Sequence, residues 1–157
     1  MSILEDIRDR IIEITDTLVT ERSEDAKSAL WTPTIIDSGE LPLFTNHWGA
    51  TTSNELVDNQ YYDTVRNWTV KCVMEKAGIG QYSTNENRMA EWIASFRKTM
   101  VRKPQLQDST QSGLKHVRRA VITGDDGGTV SPYPDGGSEN FYIITFTLSI
   151  AYMEVCQ

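Results

Sequence analysis

The sequence predicts an α+β fold: a mainly antiparallel β-sheet of about four strands, with two α-helices packed on one face and a long hairpin or loop. Two stretches carry apolar residues at helical spacing, and others alternate apolar and polar residues as a half-buried strand does. Their order is helix, strand, strand, helix, strand, strand. With 157 residues, we expect a single domain that spans residues 1–157.

The first helix is predicted to begin at a capping box. Ser2 and Glu5 have the Ser-x-x-Glu spacing in which each side chain accepts a hydrogen bond from the backbone N–H of the other residue. Apolar residues then recur every three or four positions over residues 3–18. Farther along, Leu41 and Pro42 indicate the start of a strand, because proline is tolerated at the first position.

The middle of the chain predicts a hairpin, a strand and a second helix. Residues 49–63 are rich in Thr, Asn and Asp and are interpreted as a long hairpin or a flexible loop. Residues 67–75 alternate between apolar and polar side chains, which predicts a strand with one buried face. A helix is predicted over residues 86–100, with Ser83 as its cap and Pro104 beyond its end.

The last part of the chain predicts two strands joined by a loop. Residues 114–123 form the shorter strand, through Val117, Val121 and Ile122. Residues 124–137 are rich in Gly and Asp and are interpreted as a loop with turn residues. The longest strand follows, since apolar residues occupy every second position from Tyr142 onwards.

Charge is divided unevenly along the chain, which has a net charge of −7. Residues 1–63 hold 13 acidic and 4 basic side chains, residues 64–123 hold 4 and 11, and residues 124–157 hold 5 and none. An acidic chain is a poor general binder of nucleic acid. The basic run over residues 97–119 fits a solvated helix end, or a basic face that meets an acidic face of a neighbouring subunit.

The motifs of common catalytic and cofactor sites do not occur in the sequence. His47 and His116 lie far apart and outside any Cys/His metal spacing, and Cys72 falls on a predicted core face. No phosphate-binding loop, dinucleotide fingerprint or nucleophile elbow is present. We therefore expect no enzyme, metal or cofactor. The longest apolar stretch, residues 141–153, is too short for a membrane span.

The ordered features resemble the tail terminator family of long-tailed bacteriophages, also called tail completion or head-to-tail joining proteins. The resemblance covers nearly the whole chain: the Leu41-Pro42 strand start, the polar hairpin, the strand over residues 66–75, the amphipathic helix, the short strand, the Gly/Asp loop and the strand led by Tyr142.

The resemblance implies a structural virion protein and not an enzyme. It implies a ring, usually a homohexamer, that docks on the last ring of the tail tube, stops polymerisation and offers a surface to the head connector. Its expected partners are therefore other copies of itself, the tail tube protein and the head-tail connector or head-closure protein. Genomic DNA would pass through the lumen without specific binding. The expected location is the tail or neck of the virion, and the host cytoplasm during assembly.

Three regions are candidates for contact with neighbouring subunits or rings. The first is the loop over residues 124–137, where an aromatic side chain between two prolines is either an exposed anchor or packed locally. The second is the polar segment 49–63, and the third is the basic run over residues 97–119. The candidate interface residues are Asp125, Asp126, Tyr133, Asp135, Tyr61, Tyr62, Arg118 and Arg119.

Other functions stay open at this point. A head-closure or neck connector protein would share the ring geometry. A small α+β ligand-binding or enzymatic domain belongs to a different class, and a nucleic-acid-binding module rests only on the basic run.

Overall fold

Two helices and an antiparallel sheet of five strands form an α+β fold, as the sequence predicts. The structure is a computed structural model and describes residues 2–21, 28–29, 42–76, 82–133 and 139–155. In chain order the elements are α1 (Ile3–Glu21), β1 (Ser28–Ala29), β2 (Leu43–Leu56), β3 (Tyr61–Lys76), α2 (Tyr82–Val101), β4 (Val117–Asp125), β5 (Thr129–Pro132) and β6 (Asn140–Val155).

The strands follow the order β1-β2-β3-β6-β4 across the sheet, and β5 pairs with β6 as well. The two-residue β1 is parallel to β2, whereas every other pairing is antiparallel. The central strands β3 and β6 pair from Tyr61 opposite Val155 to Lys76 opposite Phe141. On one side the described sheet therefore ends in the two-residue β1 next to Phe44 and Thr45 and in β2 beyond them, and on the other side it ends in β4 with β5.

Both helices pack on one face of the sheet, which confirms the predicted layers. The predicted apolar stripes of α1 and α2 and the alternating residues of β3 and β6 are buried in one core cluster. Its helix members include Ile7, Ile11, Ile14, Leu18, Met89, Trp92, Phe96 and Met100, and its strand members include Trp68, Val70, Cys72, Ile144, Phe146 and Leu148.

The capping box at the start of α1 is confirmed. The Ser2 backbone N–H donates to Glu5 Oε2 at 2.8 Å, and the Glu5 N–H donates to Ser2 Oγ at 3.3 Å. The Ser2 backbone N–H holds the pKa of Glu5 below its ordinary value, because the hydrogen bond favours the carboxylate. Helix α2 already begins at Tyr82, one residue before its predicted cap, and the Ser83 side chain lies outside the described residues.

The polar segment 49–63 is a hairpin that continues β2 and β3 almost to its tip. Asp58 Oδ1 accepts hydrogen bonds from the backbone N–H groups of Gln60 at 2.6 Å and Tyr61 at 3.1 Å, which closes the turn. Residues 51–60 are all exposed, so neither face of this part carries the apolar alternation that marks a strand in a sequence. For that reason the sequence leaves a long hairpin and a flexible loop open as alternatives and does not predict the length of the strands.

Strand β5 lies within the stretch that the sequence predicts as a loop. Val130 pairs with Tyr142, and Ser131 pairs with Phe141. The chain continues into Tyr133, which is buried in a small cluster on the sheet face opposite the helices. That cluster consists of Leu43, Val73, Tyr133, Phe141 and Ile143. A four-residue strand with a single apolar residue on its exposed side gives too short a pattern to predict.

A buried polar pair links β2 to β3. The indole Nε1 of Trp68 donates to Asn46 Oδ1 at 2.9 Å, and both side chains are buried. Since Trp68 is completely buried, no solvent reaches the indole N–H if its acceptor is removed.

We predict that Asn46→Ala lowers the free energy of unfolding by about 1–3 kcal/mol, because the buried indole N–H then has no acceptor. Urea unfolding followed by tryptophan fluorescence measures the change. The matched control is Asn67→Ala, an exposed asparagine beside Trp68, which should change stability by less than about 0.5 kcal/mol. Equal losses in the two variants would contradict the role assigned to the pair.

Candidate protein-interaction surfaces

The first candidate acid, Asp125, is held against α2. Its Oδ2 accepts a hydrogen bond from Arg97 Nη2 at 2.5 Å, and its Oδ1 accepts one from the Gly127 N–H at 2.8 Å. The Asp125 side chain is only 10% exposed, whereas the Arg97 side chain is 55% exposed. Asp125 therefore joins the turn after β4 to the second helix and is not an unpaired surface charge.

The second candidate acid, Asp126, ties the same turn to β6. Its Oδ1 accepts hydrogen bonds from the backbone N–H groups of Gly128 at 2.9 Å and Thr145 at 3.0 Å, and its own N–H donates to Thr145 O at 3.1 Å. Gly127 and Gly128 have φ values of 74° and 94°, which glycine adopts readily. The acidic pair thus builds an ordered turn.

The aromatic candidate of this region is packed locally. Tyr133 is 4% exposed in the small cluster beside Phe141. Of the two alternatives for this side chain, it is therefore packed locally and is not an exposed anchor. Asp135 lies outside the described residues. Among the residues of the first candidate region that the structure describes, Asp126 is the acid with an exposed side chain.

The second candidate region includes the tip of the β2–β3 hairpin. We call residues 51–60 the hairpin end; all of them are exposed. Tyr61 and Tyr62 follow directly and are half-buried, and the ring of Tyr61 lies 6.5 Å from that of His116. No lysine or arginine occurs over residues 43–63. The acids of that range are Glu55, Asp58 and Asp63.

The two basic candidates occupy adjacent positions of β4 but have different surroundings. Arg118 Nη2 lies 2.5 Å from Asp63 Oδ1, so this cation is paired within the chain. Arg119 is exposed, and its side chain makes no hydrogen bond or ion pair with any residue of the described ranges. Only Arg119 of the two is therefore available to an acidic partner without breaking an existing pair.

A groove between α2 and β4 is a surface that the sequence does not predict. It has a volume of about 460 Å³ and lies between the C-terminal end of the helix and the outer edge of the strand. Its lining includes Arg97, Met100, Val101, Pro104, Arg119 and Ile122. We call it the α2–β4 groove. A single sequence holds no signal that places α2 beside β4, because the 15 residues between them follow no apolar period.

The connector after α2 is tightly bonded and sets one end of the α2–β4 groove. Arg10 Nη1 donates to the backbone carbonyls of Leu106 at 2.6 Å and Ser112 at 2.9 Å. Asp108 Oδ1 accepts from Thr110 Oγ1 at 2.6 Å, and the hydrogen bond from this hydroxyl lowers the pKa of Asp108. The groove is therefore bordered by an ordered segment.

We predict that Gly128→Ala lowers the free energy of unfolding by about 1–3 kcal/mol, because an alanine at φ 94° is strained. In addition, its Cβ would overlap with Met89 Sδ in the buried face of α2, so the Met89 side chain would have to move. Gly124→Ala is the matched control, since a Cβ there meets no atom within 4 Å. Thermal unfolding measures both, and a loss in Gly124→Ala equal to that in Gly128→Ala would contradict the prediction.

The described residues contain no group of three or more His, Cys, Asp or Glu side chains placed to hold a metal ion. Within the same ranges, none of the helices has the length and apolar character needed to cross a membrane. No protein-family model matches the chain, and no curated protein sequence matches it at a significant level.

Proposed function

We propose that the protein is a structural component of a bacteriophage virion. In this proposal it is a tail terminator that forms a ring, a homohexamer, at the head-proximal end of the tail tube. The ring stops tube polymerisation and gives the head connector a surface on which to dock. The observation that supports this function best is that the sheet ends on each side in an open strand edge, and the two edges carry opposite charge.

The two open edges belong to β2 and β4. Beyond Thr45, β2 has no further strand on its outer side among the described residues. The outer edge of β4 likewise faces no strand in the described part of the chain, and Ala120 N–H alone donates across it, to Pro104 O at 2.7 Å. Open edges are sites where a strand of another chain can pair.

Charge distinguishes the two edges. The β2 side carries Glu55 and Asp58 at the hairpin end, and no lysine or arginine occurs over residues 43–60. The β4 side carries Arg119, whose side chain is unpaired among the described residues, whereas Arg118 and Arg97 already pair with Asp63 and Asp125 of the same chain. Different surfaces that attract each other favour a head-to-tail contact, and such a contact generates a ring when the rotation between neighbouring copies closes.

The remaining parts of the proposal come from the resemblance to the tail terminator family. The tail tube protein and the head connector or head-closure protein are the proposed partners, with no catalytic activity and no cofactor. Genomic DNA passes through the lumen without specific binding, because a chain with a net charge of −7 repels the duplex. The proposed location is the tail or neck of the virion.

We predict that a gold-labelled tagged form of the protein, added to cognate tail tubes, binds only at the head-proximal tube end in negative-stain micrographs. An excess of untagged protein serves as the control and should displace the label. Label on the portal side of the neck would show that the protein acts as a head-closure protein and not as a tail terminator. A complete lack of label on tubes and virions would overturn the proposed function.

A further inference from the structure

Exposed apolar side chains mark the same two edges of the sheet. The three large apolar side chains with the greatest exposure among the described residues are Val101 at 80%, Leu56 at 58% and Val57 at 57%. Val101 lines the α2–β4 groove, whereas Leu56 and Val57 lie at the hairpin end. Single exposed valines are common, but apolar groups that cluster with a groove or an open strand edge are typical of protein-binding surfaces.

Unpaired charges accompany these apolar groups. Glu55 precedes Leu56, and its side chain makes no hydrogen bond or ion pair with the residues that the structure describes. Arg119 lines the groove and is unpaired in the same ranges. The second cation of the groove, Arg97, is already paired with Asp125. Each surface thus offers one unpaired charge, of opposite sign, beside exposed apolar carbon.

A chain cannot bring its own hairpin end to its own groove. Strands β3 and β6 lie between β2 and β4, which separates the outer strands by about 14 Å, or three strand spacings. The outer edges also face in opposite directions, because they are the two ends of one sheet. The hairpin end that fits the groove must therefore come from a second copy.

We propose that the hairpin end of one copy docks in the α2–β4 groove of a second copy. Glu55 pairs with Arg119 of that copy, Leu56 and Val57 cover Val101 and the apolar lining, and the outer edge of β2 adds a strand beside β4. This docking mode identifies the subunit contact of the ring and rests on the assembly part of the proposed function.

Disulfide trapping between two variants, each with one added surface cysteine, tests the contact. The parent carries Cys156→Ser, and it keeps Cys72, which is completely buried. One variant adds Val57→Cys and the other adds Val101→Cys. Under mild oxidation we expect the mixture to form a disulfide-linked dimer about tenfold faster than either variant alone, because docking raises the local thiol concentration.

Val130→Cys replaces Val101→Cys in the matched control. Val130 lies on β5 outside the groove and is 47% exposed, so a cysteine there is also accessible to an oxidant, and the rate of Val130→Cys alone corrects for its lower exposure. A mixture of the Val57→Cys and Val130→Cys variants should cross-link at the background rate. Equal rates in the two mixtures would overturn the proposed docking, as would a rate for Val57→Cys alone that equals the rate of the mixture.

A charge exchange tests the pairing of Glu55 with Arg119. We expect Arg119→Glu to slow the cross-link about tenfold, and Glu55→Lys on the other variant to restore it, because the attraction is re-formed with reversed signs. Lys98→Glu is the charge-matched control on an exposed face of α2 outside the groove and should leave the rate unchanged. Failure of Glu55→Lys to restore the rate would remove this ion pair from the proposal.

The outcomes for the docking mode and for the proposed function are separable. If tube ends are labelled while the cross-link stays at background, the docking mode is wrong and the terminator function stands. If the cross-link forms while tubes and virions stay unlabelled, the two copies dock as inferred and the terminator function is wrong.

Discussion

The antiparallel pairing of β3 with β6 is the constraint on which the rest of the structure depends. Each strand has 16 residues, and the register places Trp68 opposite Leu148 and Val70 opposite Phe146. Because strand side chains alternate between faces, this register puts the apolar residues of both strands on one side. A shift of one residue would turn that face outward and leave the stripes of α1 and α2 without a partner surface.

The length of the β3–β6 pair also determines which surfaces of the sheet remain uncovered. Two helices cover one face of the sheet, while the hairpin end remains in water on both faces. Arg66 supports the hairpin by polar contacts, since its guanidinium donates to Gly49 O at 2.8 Å and to the Tyr152 hydroxyl at 3.1 Å. The outer edges of β2 and β4 are consequently the surfaces through which the sheet can continue into another chain.

The sequence predicts the elements that bury a regular apolar pattern. The structure confirms the capping box of α1. It also confirms the helical period of the apolar stripes in α1 and α2 and the two-residue period in β3 and β6. It predicts less well where polar residues face water on both sides, as in the outer half of β2, or where four residues form a strand, as in β5. The boundaries of these strands depend on pairing with distant segments of the chain, and the local residue pattern gives no information about that pairing.

The candidate interface residues divide in the same way. The sequence does not show a partner for Asp125 or for Arg118. In the fold, Asp125 pairs with Arg97 and Arg118 pairs with Asp63. Tyr133 is aromatic in a loop-like segment, yet the pairing of β5 with β6 buries it. The α2–β4 groove arises from the packing of two elements that are separate in the chain, so it becomes visible only in the fold.

Hydrogen–deuterium exchange of the protein bound to tail tubes, compared with the free protein, tests the central claim that both open edges are assembly surfaces. The account predicts slower exchange of backbone amides in residues 51–56 and in residues 121–125, because each edge gains hydrogen bonds from a neighbouring chain. Amides of α1 serve as the internal reference and should be unchanged. Unaltered exchange at either edge in tube-bound protein would contradict the account.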